Sequence, residues 1–290
     1  MSDKQTPPPT PAASALPDHR VIALAGRDAV AFLQAQAMND VAALADGQWQ
    51  WNGWLTPKGR IVALFAVLRR DPETLWLLAA DADPQALAEA LRRFVFRSKV
   101  AISVRDDLLV SGAFAAPMRA RAAVAAELDD GRVELDLGGD GGPRTLWIGP
   151  AAVAADGATV ARWQAFDLAH GWPRLPPSQQ GTWTPQQLSL ERLPAFSVKK
   201  GCYPGQEIVA RTHFLGQAKR GLARLRCSVA VAPGARVLHD GHPIGEVVAA
   251  AADDGRDALA VVALERRDGS PLQVDDATAT TLPLLDGLAR

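Results

Sequence analysis

The chain has 290 residues, 48% hydrophobic and 22% charged, with 31 basic against 32 acidic side chains and a net charge of −1. That balance suits two or three globular units with a substantial core. It excludes bulk attraction to a phosphate backbone or an anionic membrane, so no direct nucleic-acid binding is expected, although a local basic groove is compatible with it. No run approaches the ~20 apolar residues that span a bilayer.

The opening "MSDKQTPPPTPAASALPD" is polar and Pro-rich and lacks the basic and apolar regions of a signal peptide, so residues 1–18 read as a disordered tail. With Cys202 and Cys227 as the only cysteines, the expected compartment is reducing cytoplasm. Two thiols and five scattered histidines also argue against a resident cluster or structural zinc, and no metal site is predicted.

A strand at Val21–Leu24 leads into a helix with Val30, Leu33 and Ala37 on one face. "GQWQWNGWLTPKGRIVALFAVLRRDPETLWLLA" reads as strands punctuated by turns, with Ile61–Leu68 apolar on both faces, as in a central strand. Asp83 and Pro84 start a second helix, striped by Leu87, Ala90, Leu91, Phe94 and Val95. Further strands follow. Then come an Ala-rich helix near Arg119–Leu128, a Gly-rich hairpin through "LGGDGGPRTLWIG" and a helix at about Thr159–His170. After Gly221, short strands about ten residues apart, joined by Pro-Gly and Asp-Gly turns, predict a small antiparallel barrel or sandwich. His239 and His242 flank Asp240-Gly241 and mark a hairpin, not a metal site. The fold class is therefore α+β, with units at 19–221 (split near 110) and 222–290.

"VKKGCYPGQEIVARTHFLGQAKRG", residues 198–221, sits at this seam. Gly201, Pro204 and Gly205 around Cys202 rule out regular structure, whereas "QEIVARTHF" suits a helix with Ile208 and Val209 inward. Cys202 then precedes a helix N-terminus and follows Lys199 and Lys200, an arrangement expected to favour the thiolate. Gln206 and Glu207 suit a ligand edge that mixes ring nitrogens with an amino group, and Arg211, Lys219 and Arg220 suit an anionic tail. The same residues also read as an ordinary turn with a buried cysteine and a solvated face. His213 is the nearby base, but its orientation to Cys202 is not set by spacing.

"KKGCYPGQE" resembles the K-G-C-Y-x-G-Q-E signature of the YgfZ-type folate-binding proteins, relatives of the glycine-cleavage T-protein (aminomethyltransferase). "GRDAVAFLQAQAMNDV", "LTPKGRIVALF", "AHGWPRL" and "ARTHFLGQAKRGL" resemble further segments of that family, in order, over about residues 19–225. The resemblance implies three domains in a ring around a folate channel, two α+β and the last all-β. It also implies tetrahydrofolate or a derivative as cofactor, and a role in maintaining iron–sulfur enzymes, tRNA-modifying ones included. The signature cysteine falls on Cys202, which is expected to face a folate-lined cavity. Lys200, Tyr203, Gln206, Glu207, Arg211 and Arg220 are the expected cofactor-binding residues. Ala169 replaces a folate-gripping glutamate of T-protein relatives, so aminomethyl transfer is not carried over, and Ala35 replaces a frequent glycine. Two alternatives stay open: a folate-dependent one-carbon transferase or demethylase, and a structural or partner-binding module with an inert thiol.

Overall fold

The computed structural model describes residues 13–80, 82–216, 218–266 and 271–290. The first unit is a five-stranded sheet ordered β3-β4-β5-β2-β6. Its strands are β2 (His19–Ala25), β3 (Trp49–Leu55), β4 (Ile61–Asp71), β5 (Thr74–Ala80) and β6 (Ala101–Val104). Helices α1 (Ala29–Gln36) and α2 (Pro84–Arg92) cover one face. Alternation decides the layers: Ile22 and Leu24 turn toward the helices, while Val21 and Ala23 turn to the opposite face. Both faces are dry, and β4 is flanked by β3 and β5, in keeping with its apolar run. Asp83 caps α2, its carboxylate accepting the Gln85 and Ala86 N–H groups. The helix ends at Arg92, and Phe94 lies outside it, 40% exposed, so the expected stripe is one turn too long.

The second sheet, ordered β1-β7-β10-β9-β8, comprises β1 (Ser14–Ala15), β7 (Leu109–Ala113), β8 (Ala126–Glu127), β9 (Val133–Asp136) and β10 (Thr145–Gly149). Two expectations are corrected here. Residues 13–18 are not a tail: Ser14 pairs with Gly112, Ala15 pairs with Ser111, and Leu16 is buried. The first 12 residues of the expected tail lie outside the described residues. Nor is Arg119–Leu128 a helix. The fully buried Glu134 carboxylate accepts N–H groups from Met118, Arg119 and Ala120 (3.1, 2.6 and 2.9 Å), plus the Trp147 indole at 3.2 Å. Ala123 and Gly47 then tie the following stretch to the edge of the first sheet, through Trp49 N to Ala123 O and Ala125 N to Gly47 O, both 2.9 Å. A carboxylate taking three successive backbone donors outcompetes alanine's helical propensity.

Helix α3 (Gly157–Ala169) leads through an irregular stretch to α4 (Gln206–Leu215). The chain then closes a six-stranded antiparallel barrel ordered β11-β14-β13-β12-β15-β16. Its strands are β11 (Arg220–Cys227), β12 (Arg236–His239), β13 (His242–Ala250), β14 (Asp257–Ala263), β15 (Leu272–Val274) and β16 (Ala277–Leu282). Asp240 and Gly241, both at positive φ, form the turn between β12 and β13. One apolar core joins the parts: Trp51 and Leu64 of the first sheet, Leu135 and Leu146 of the second, Trp163 of α3, Tyr203, and Leu222 and Val261 of the barrel. Among the described residues no helix is long and apolar enough to cross a membrane.

Candidate functional site

The end of α1 organises the loop that carries Cys202. A helix leaves its last carbonyls without intrahelical partners, at the negative end of its dipole. Here Lys200, from the far side of the sequence, fills that place. Its Nζ donates to the carbonyls of Gln34, Ala37 and Asn39 at 2.6, 2.6 and 2.9 Å. Burial pushes the Lys200 pKa down to about 8, against the raising influence of Asp40. Asn39 completes the joint: its Nδ2 donates to Trp51 O and Pro194 O at 2.9 and 2.7 Å, and its N–H donates to Asn52 Oδ1 at 2.9 Å.

Around this anchor further bonds hold the loop. Ser197 N donates to Met38 O at 2.9 Å, and Ser197 Oγ accepts the N–H groups of Lys199 and Lys200 at 3.2 Å. Tyr203 is buried beside the ammonium (5.0 Å to the ring centre) and donates its hydroxyl to Ser197 O at 3.1 Å. Burial pushes its pKa up to about 12. Gln206 Nε2 donates to Lys200 O at 3.2 Å. Gly205, at φ +80°, starts α4 against the Thr56–Gly59 turn. Cys202 is exposed with a free thiol, and its loop neighbours Lys199, Gly201 and Glu207 are exposed too; Cys227 is free but buried.

This geometry corrects several expectations. The Lys200 ammonium does not flank the thiol, because three carbonyls hold it inside. Lys200 and Tyr203 are structural supports of the loop, since their polar atoms are spent on backbone groups. Val209 is buried, but Ile208 turns outward over Gly59, because the Gly205–Gly59 contact brings that face of α4 to the surface. Glu207, Arg211 and Arg220 are exposed, and Gln206 is half-buried. Cys202 stands at the surface and lines neither cavity described next.

At the centre, a cavity of about 20 Å³ is lined by His19, Trp51, Phe65, Trp163, Asp167 and Trp172. Trp51 and Trp172 lie 4.2 Å apart at 36°. Arg144, fully buried, donates to Asp167 Oδ1 at 2.6 Å and lies over the Trp163 and Phe166 rings at 4.3 and 4.1 Å. Burial, with Arg174 and Arg144 nearby, lowers the His19 pKa well below its ordinary value. His19 Nδ1 and Trp163 Nε1 have no hydrogen-bond partner among the described residues. A second cavity, about 240 Å³, opens at the seam with the barrel between Gln164, Arg174, Pro176, Pro233, Ala249 and Ala250. Gln164 and Arg174 both reach Asp18 Oδ2, at 2.8 and 3.4 Å, and Arg174 Nη1 lies 3.8 Å from Asp167 Oδ2. Arg174 thus lines the seam cavity and approaches Asp167, which lines the central one. Sequence reasoning missed this cluster, because its members are ordinary residue types spread from Asp18 to Arg174.

Two α+β sheets and a closing barrel around a shared core define a T-protein-like fold. The crystal structure of glycine cleavage system aminomethyltransferase T from Bartonella henselae matches it with a TM-score of 0.75, covering 94% of this chain and 85% of that one at 16% identity. No family model matches the chain. The tRNA-modifying protein YgfZ of Cronobacter sakazakii is 31% identical, covering 86% of both chains. That of Escherichia coli O157:H7 is 30% identical, over 79% of this chain and 78% of its own. The chain belongs to the YgfZ family of tRNA-modifying proteins.

Proposed function

We propose that this protein is a tetrahydrofolate-binding accessory factor that supports iron–sulfur enzymes, tRNA-modifying enzymes among them, with Cys202 as its working thiol. The observation that carries the reading is the contrast within one loop. Lys200, Tyr203, Gly205 and Gln206 are committed to holding it, and the Cys202 thiol stands exposed on the loop they hold. Both cysteines being free supports a reducing compartment, the cytoplasm.

For the folate, the exposed signature residues offer no enclosure, and a 20 Å³ space holds about one water. The seam cavity fits better. Its 240 Å³ approaches the range of small-molecule sites, and it is lined by the Gln164 amide and the Arg174 guanidinium, both hydrogen-bonded to Asp18. These side chains match a ring edge that alternates donors and acceptors. We place the folate there.

Two measurements test this. Titration with tetrahydrofolate should quench tryptophan emission in the parent and not in Gln164→Ala with Arg174→Ala. In cells lacking the protein, Cys202→Ala should fail to restore the activity of iron–sulfur enzymes. Full rescue by Cys202→Ala removes the thiol from the mechanism. Undiminished folate binding in the double variant removes the seam cavity. The transferase reading rests on the fold, and Ala169 still speaks against it. Turnover of tetrahydrofolate with an aminomethyl donor would establish it instead.

A further inference from the structure

The net charge conceals a local concentration of cations. Residues 92–99, Arg-Arg-Phe-Val-Phe-Arg-Ser-Lys, carry four basic side chains and no acid between α2 and β6. Arg92 anchors the segment, its guanidinium donating twice to Ile102 O at 3.0 and 2.8 Å. Beyond it, Arg93, Arg97 and Lys99 are exposed, and their side chains make no hydrogen bond or ion pair among the described residues. The Lys99 backbone pairs with Asp28, N to Oδ2 at 2.6 Å, which brings the exposed Arg27 to the same edge. The acidic neighbours are Glu89 on α2, Glu73 beyond Gly26, and Asp28, already engaged.

Between these cations stand two aromatic rings in water. Phe96 is 86% exposed and Phe94 40%, the latter steadied edge-on against Trp54 at 5.9 Å. A phenylalanine so exposed, flanked by free cations on both sides, is the combination with which proteins hold unpaired nucleic acid: cations track the phosphates and rings stack with the bases. An acidic peptide would satisfy the cations and leave the Phe96 ring without a partner.

We propose that the surface formed by Arg27, Arg93, Phe94, Phe96, Arg97 and Lys99 binds single-stranded RNA. The choice of RNA over DNA rests on the reading of the protein as a factor for tRNA-modifying enzymes; the site itself rests on the patch. This reverses the expectation drawn from net charge, because affinity for a strand depends on the few cations that reach it.

The test uses the full chain and a fluorescent, unstructured CA-repeat RNA of about 12 nucleotides, followed by anisotropy across a salt series. Three or four phosphate contacts predict a log–log salt slope of about −2 to −3. Replacing Arg93 and Arg97 by alanine should weaken binding at least roughly tenfold and flatten the slope by about 1.4. Phe96→Ala should weaken it by roughly tenfold with the slope unchanged. Both variants alter exposed side chains, and unchanged thermal melts confirm that they fold. The proposal is overturned if the parent shows no saturable binding at low salt, or if either variant binds like the parent. Displacement of the RNA by a polyglutamate peptide, or conversion of a dimer to a monomer by Phe96→Ala, assigns the patch to a protein and overturns it too. Tighter binding of the same sequence as DNA overturns the choice of RNA. None of these outcomes bears on folate binding, which the tryptophan titration decides separately.

Discussion

Gly59 and Gly205 meet backbone to backbone. A Cβ on Gly205 would stand 2.6 Å from the Gly59 Cα and 2.6 Å from the Thr56 carbonyl oxygen. Both residues hold positive φ, +68° and +80°. The turn after β3 and the start of α4 therefore come together only because neither carries a side chain. Gly205→Ala should cost about 2 kcal/mol or more, from backbone strain and the clash together, read as a lowered urea midpoint. A local effect on the loop should also change the rate at which Cys202 reacts with a thiol reagent.

Lys200 gives the second prediction. Lys200→Met keeps much of the chain length but leaves the Gln34, Ala37 and Asn39 carbonyls without their shared donor. The expected loss is on the order of 3 kcal/mol, measured by urea unfolding. Lys200→Arg should not restore it, because three carbonyls converging on one point suit an ammonium and not a planar fork.

Glu134 is the third. Burial raises its pKa, but the donors from Ala120, Arg119, Met118 and Trp147 outweigh that, so the group titrates below the ordinary glutamate value. Its contribution is therefore present above about pH 4.5 and is lost as pH falls through the lower folded value. Glu134→Ala should destabilise the protein by about 3 kcal/mol at neutral pH. The difference from the parent should shrink in acid.

His19 supplies a pH dependence at milder values. Because its folded pKa lies below the ordinary value, the unfolded chain takes up a proton below about pH 6.5 that the folded chain refuses. Stability should fall with pH there by up to about 1.4 kcal/mol per unit from this residue. Urea midpoints for the parent and His19→Phe at a series of pH values should show the shallower slope in the variant. His170, lowered by burial against the raising influence of its hydrogen bond to Phe166 O, should leave part of the slope in place.

The regular elements were largely legible. The strand runs, the Asp83-Pro84 helix start, the Asp240-Gly241 hairpin and the short strands after Gly221 are signals written within a few neighbouring residues. The family signature was legible for the same reason, as contiguous text. The site was legible only in part. The Cys202 thiol is exposed, but the neighbours assigned to it were chosen by adjacency in sequence, and Lys200, Tyr203 and Ile208 each face another way in three dimensions.

By itself, then, the sequence determined where strands, turns and most helices lie and which family the chain resembles. Backbone preference and hydrophobic period act over short distances, so a linear reading captures them. The tertiary structure alone decided that Lys200 caps α1 across 163 residues. It also decided that Glu134 unmakes an alanine-rich helix, and that Asp18, His19, Asp167 and Arg174 meet at one centre. Each of these depends on a polar group finding its partner inside a dry core, and that partner is set by how the units pack, not by what stands next to it in the chain.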